Sequence, residues 1–139
     1  MSYENPWRYN DEIVDENVPE DAVSFVYRIT NIISGRQYLG KKTLSFKKTR
    51  APLKGKKRKR KSYTDSGWRE YYGSNLELNE ERTLIGNHNF KREILRFCKT
   101  KGEASYYEAK YIFGEDAIIK ETYYNEWCSL KVSKSHIRL

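Results

Sequence analysis

The sequence predicts one small α/β domain of the α+β kind, a three-stranded sheet flanked by helices, and three observations carry that expectation. The chain has 139 residues, enough for one core, whereas two independent cores would each be marginal. A hairpin pattern occupies residues 23–40, with apolar alternation, a cluster of turn residues and a second extended run. An apolar stripe at helical spacing runs through residues 103–113,. Composition agrees: charged residues make up 33%, which is polar for a globular chain, but an aromatic share of 14% with 12 Tyr, 5 Phe and 3 Trp can build a core,. The chain has no run of about 18 apolar residues, and Met1 to Pro6 lack a basic-then-apolar pattern, so neither a membrane span nor a secretory signal is expected,.

Element by element, Val23, Phe25, Tyr27 and Ile29 alternate on one side of a half-buried strand, Asn31 to Gly35 supply the turn, and Arg36 to Gly40 resume the extended pattern,. Ser66-Gly67 opens a helical segment with Trp68, Tyr71 and Tyr72, interrupted at Gly73-Ser74,. A second helix, Asn75 to Ile85, stops at Gly86,. Phe90 to Phe97, rich in Phe, Ile and Leu, reads as a strand of the same sheet, with His88 a turn residue before it,. The clearest helix is Glu103 to Phe113, whose stripe carries Ala104, Tyr107, Tyr111 and Ile112,. A short helix over Asp116 to Lys120 and an aromatic tail of Tyr123, Tyr124 and Trp127 complete the chain.

The net charge of +8 is unevenly placed. Residues 1–21 hold seven acids and one base, an acidic leader that reads as a solvated tail or as an intramolecular competitor for basic residues, and the remaining 22–139 read as the folded domain. Residues 47–61 hold ten bases and no acid, with Pro52 and Gly55 among them. Such a run repels itself and is expected as a mobile exposed arm whose natural partner is a polyanion. Localisation signals and plain solvated loops share that composition. If about half of these side chains met duplex DNA, the log-log salt slope would be about −5 through counterion release.

Glu108 falls within the apolar stripe of its helix, where a carboxylate needs an ion-pair partner or a bound cation,. Tyr27 and Tyr38, eleven residues apart across a tight turn, can lie side by side on adjacent strands, although tyrosines in strands are mostly core residues,. Cys98 and Cys128 read as ordinary buried thiols,. The order His88, Cys98, Cys128, His136 has none of the short paired spacings of a structural zinc site,.

Phe25-Val26-Tyr27, Tyr38-Leu39-Gly40 eleven residues on, a helix-borne Glu108 and a late Asn125 together resemble the GIY-YIG nuclease superfamily. Tyr72-Gly73-Ser74 followed by Gly86-Asn87-His88-Asn89-Phe90-Lys91-Arg92-Glu93-Ile94-Leu95 resembles the phage-borne branch related to homing endonucleases. The resemblance implies a three-stranded antiparallel sheet flanked by helices and a metal-dependent DNA endonuclease that uses one divalent ion, Mg²⁺ or Mn²⁺. By the same resemblance Glu108 is the metal ligand, Tyr27 positions or deprotonates the attacking water, Tyr38 contacts the attacked phosphate or water, and Asn125 supports the site. The family's phosphate-stabilising Arg has no match in place, because Phe46 to Gly67 looks like an insertion. Arg69 is the candidate, since a phosphate clamp belongs on a rigid element, with Lys41 or Lys42 as the fallback. Nucleic-acid contacts are expected from Lys41, Lys42, Lys54, Lys56, Lys57, Arg58, Lys59, Arg60 and Lys61. The expected partner is duplex or branched DNA, with no membrane and with room for a homodimer, in the bacterial cytoplasm if the chain is phage-encoded. A non-catalytic nucleic-acid-binding protein that keeps the fold is the alternative.

Overall fold

The computed structural model describes residues 5–50, 55 and 60–128. Seven strands and two α-helices follow in order: β1 (Trp7–Tyr9), β2 (Glu12–Val14), β3 (Ser24–Asn31), β4 (Gln37–Thr43), β5 (Ser45–Arg50), β6 (Arg60–Asp65), α1 (Leu76–Ile85), β7 (Phe90–Cys98) and α2 (Lys101–Gly114). The main sheet has five strands in the order β2-β1-β7-β3-β4 and is mixed, because β1 runs parallel to β7 while the other pairs are antiparallel. The expected three-stranded antiparallel unit is its inner part, β7-β3-β4, and the leader adds the other two strands. Residues 1–21 are therefore not simply a solvated tail: Trp7 is only 1% exposed and sits in the core with Phe25 and Tyr27 at ring-centroid distances of 5.1 and 5.2 Å. Asp11, Glu12, Glu16, Glu20 and Asp21 are exposed while Trp7 and Val14 are buried, so the segment's charge and its packing are carried by different side chains,.

The alternation of β3 divides the core between two layers. Phe25, Tyr27 and Ile29 pack with Trp7, Trp68, Tyr72 and Leu78, whereas Val26 packs with Cys98 and Ala104 of α2. Leu39 of β4 joins Ile112 and Ala117 in that second layer. Buried Arg92 ties the first layer together. Its guanidinium donates to the carbonyls of Arg69 and Tyr71, both at 2.8 Å, and to that of Asn5, and it lies over the Tyr72 ring at 4.1 Å.

The helix ends follow local chemistry. Asn75 accepts from the Leu78 amide at 2.9 Å to start α1, and Gly86 at φ 95° ends it,. Thr100 accepts from the Glu103 amide at 3.0 Å, opening α2 two residues before the expected start,. The helix expected over Asp116 to Lys120 is instead the close of α2. Asp116 is left-handed at φ 52°, the Ala117 amide donates to Ile112 O at 2.9 Å and the Asp116 amide to Phe113 O at 3.2 Å, the Schellman pattern,. The helical segment expected after Ser66 is a single 3-10 turn, Trp68–Glu70, because Gly67 and Gly73 have φ of 77° and 85° and Tyr71 is extended,. The ends of the basic run are strands: β5 and β6 pair as a separate antiparallel ribbon from Ser45↔Asp65 to Arg50↔Arg60. Among the described residues no helix is long and apolar enough to cross a membrane.

Candidate active site

Strand β4 ends the sheet, and the site lies across it. Even-numbered residues of β4 share a face with Tyr27, and odd-numbered ones face α2,. Tyr27 belongs to the first face, yet its hydroxyl reaches toward the edge because its neighbour across the ladder is Gly40. A Cβ at Gly40 would stand 2.4 Å from that hydroxyl oxygen, so no other residue fits there without displacing the phenol,. Gly73 admits the same pair of rings: a Cβ there would lie 3.2 Å from the Tyr38 ring and 3.3 Å from the Tyr27 hydroxyl, at a φ of 85°. The β3–β7 register shifts between Val26 and Tyr27, placing an irregularity beside the tyrosine, a common way to re-aim a side chain near a site,.

These features open a cleft of about 470 Å³ onto which Tyr27, Tyr38, Lys41, Glu108 and Asn125 all converge. Tyr27 and Tyr38 are 6.2 Å apart by ring centroids, and the Tyr38 hydroxyl bonds Ser74 Oγ at 3.3 Å. Burial, then the Tyr71 and Tyr38 phenols, then Glu108 hold the Tyr27 hydroxyl well above the ordinary tyrosine range,. It is a neutral phenol at physiological pH. Burial likewise raises Tyr38, with the Ser74 bond opposing it. Glu108 enters from the α2 side, half-buried. Burial pushes its carboxyl up and Lys41 draws it down. Among the described residues it makes no hydrogen bond and no ion pair, so the carboxylate is available to a cation. Glu126 stands at the rim of the same cleft. Among the described residues there is no cluster of three or more His, Cys, Asp or Glu side chains that would cage a metal.

Asn125 is in the cleft wall but spends its amide on the backbone. Its Nδ2 donates to Leu39 O at 2.8 Å and its Oδ1 accepts from the Leu39 amide at 3.0 Å. It clamps the tail to β4 and so positions the cleft wall. Arg69 is not in the cleft. On the 3-10 turn its Nε donates to Asp15 Oδ1 at 2.7 Å and a second nitrogen to Asp15 O at 2.9 Å, with Asp65 3.6 Å away, so its charge is committed to the leader and the ribbon's base. Lys41 is the cation at the cleft, and its ammonium donates to Ser105 Oγ. Lys42, on the opposite face of β4, lies over the Tyr71 ring at 4.3 Å. Lys54, Lys56, Lys57, Arg58 and Lys59 lie outside the described residues, and Arg60 and Lys61 belong to β6. Sequence reasoning also passed over Tyr71, which borders Tyr27 edge-on at 6.0 Å. Its signal was its place directly before Tyr72-Gly73.

A sheet edge where two tyrosines meet a helix-borne glutamate over an obligatory glycine defines a GIY-YIG domain, and the profile of the family described as "Putative endonuclease segE, GIY-YIG domain" matches residues 7–128. The chain belongs to that family. It is 33% identical over 101 residues, 73% of this chain, to "Putative endonuclease segE" of Enterobacteria phage T4. The chain spans 39% of that relative's length. No solved structure matches the chain.

Proposed function

We propose that the protein is a divalent-metal-dependent DNA endonuclease that hydrolyses one phosphodiester bond per engagement. The convergence of Tyr27, Tyr38, Lys41 and Glu108 on one cleft carries the reading. Half-buried Glu108, with no ion pair among the described residues and with Glu126 at the rim, suits Mg²⁺ or Mn²⁺, which binds through one or two protein carboxylates,. Glu108 would hold such an ion, which would supply charge neutralisation at the scissile phosphate.

The chain's own groups do the rest. Neutral Tyr27 orients the attacking water rather than removing its proton in the resting site, and Tyr38, steadied by Ser74, fixes the phosphate or water beside it,. Water oxygen forms the new bond to phosphorus as the bond to the leaving deoxyribose oxygen breaks; the attacking water gives up one proton to solvent and the leaving oxygen takes one up from solvent. Lys41 stabilises the added negative charge on phosphorus from a rigid strand, the role first assigned by resemblance to Arg69,. Lys42 and the basic ribbon hold flanking phosphates, and if the chain is phage-encoded it acts in a bacterial host's cytoplasm. Incubation with supercoiled plasmid at low salt tests the proposal. Wild type should yield relaxed or linear product in Mg²⁺ and none in EDTA, and Glu108→Ala should lose at least about a hundredfold in rate. Wild type that binds DNA without cleaving any form of it would leave a binding protein with a nuclease fold, and undiminished cleavage in Glu108→Ala would overturn the metal-ligand role.

A further inference from the structure

Two large, exposed apolar side chains stand at the mouth of the cleft. Trp127 is 73% exposed and Leu76 is 74% exposed, and both line it beside Glu108 and Lys41. Single exposed apolar residues are ordinary on protein surfaces. Here two of them share one opening, and the chain beside each is anchored: Asn75 Nδ2 donates to Tyr124 O at 3.0 Å, tying the start of α1 to the tail, while the Tyr124 amide donates to Gln37 O at 2.7 Å and Asn125 grips Leu39. Neither side chain can recognise a phosphate. An indole face offers a stacking surface to a nucleobase, and a leucine offers a wedge between base steps.

We infer that Trp127, with Leu76 lining the same mouth, is a base-binding platform that takes an unstacked nucleobase next to the scissile phosphate, so that the preferred substrate is DNA with an unpaired nucleotide at the cut. In a fully paired duplex the bases are stacked on one another, and presenting one to Trp127 requires breaking that stacking. An unpaired base meets the platform without that cost. The inference rests on the nuclease reading for the position of the phosphate, but the platform can be tested without turnover.

The test compares a labelled duplex carrying one unpaired base with the same duplex fully paired, by anisotropy in EDTA, for wild type, Trp127→Ala and Trp127→Phe. Wild type should bind the first about tenfold more tightly, Trp127→Ala should bind both alike, and Trp127→Phe should keep most of the difference. Trp7 and Trp68 are buried, so iodide quenching of wild-type emission reports chiefly on Trp127, and the unpaired-base duplex should protect it. Equal affinity of wild type for the two duplexes, or an unchanged ratio in Trp127→Ala, would overturn the platform. With Mg²⁺ added, a protein that keeps the preference and cuts neither duplex retains the platform and rejects the nuclease. One that cuts both duplexes, with a ratio indifferent to Trp127, retains the nuclease and rejects the platform.

Discussion

At one edge of the sheet, β1 and β2 bury Trp7 and Val14 against the aromatic layer, and the Trp7 indole donates to Trp68 O at 2.7 Å. At the other edge, β4 exposes Lys41, lets a phenol pass over Gly40 and faces a carboxylate with no partner among the described residues. Both edges are rich in charge, so charge alone does not separate a packing edge from a working one. What separates them is where the apolar side chains point and whether the carboxylate beside the edge is engaged: Asp15 accepts from Arg69, whereas Glu108 makes no hydrogen bond or ion pair among the described residues. Every polar group left unsatisfied at a site is stability withheld from the fold, and the first edge makes up for some of it.

The largest effect should come from breaking the packing edge. Trp7→Ala removes a buried indole and its hydrogen bond and should lower the unfolding free energy by about 3–5 kcal/mol in urea denaturation. A loss under about 1 kcal/mol would mean that the leader merely lies against a core that stands without it. Shortening the basic ribbon by residues 50–61 should do the reverse. Stability should change by less than about 1 kcal/mol, since β5 and β6 pair with each other and not with the main sheet,. DNA affinity should fall across many sequences and the salt slope should flatten, and full affinity in the shortened chain would reject the ribbon as a phosphate-binding arm.

The same contrast explains what could be read from the sequence. The β3–β4 hairpin, α1, β7 and α2 were legible because each is long enough to show its period or carries a capping residue at its end,. The strands of the leader were not, since three residues show no period and seven acids dominate the segment's composition. Tyr27, Tyr38 and Glu108 were singled out by resemblance to the family rather than by pattern alone, and the structure brings all three to one cleft. Arg69 was misplaced because rigidity, the criterion that selected it, is real, while its engagement by Asp15 lies 54 residues away in sequence and no local pattern records it. Gly40 and Gly73 were visible as motif letters, but their reason, room for two phenols, exists only in three dimensions.

The smallest predicted effect sharpens the working edge, and its sign is opposite to that of Trp7→Ala. Burial raises the Glu108 carboxyl more than Lys41 lowers it, so the folded chain holds that proton more tightly than the unfolded chain does,. Such a group favours the fold at pH below the ordinary carboxylate range, and the contribution is lost as pH rises through the raised folded value. At neutral pH without metal, the charged Glu108 therefore weighs against folding. Glu108→Gln, which keeps the shape and removes the charge, should melt slightly higher than wild type in EDTA at pH 7, and the gap should close as the pH falls below about 3, where the wild-type carboxyl is protonated in both states. Adding Mg²⁺ at pH 7 should raise the melting temperature of wild type and leave that of Glu108→Gln unmoved, because only the carboxylate gains a counter-charge. A Glu108→Gln protein less stable than wild type in EDTA at pH 7 would mean that the carboxylate already has a stabilising partner in the fold, and the β4 edge would then be a packing edge like the other.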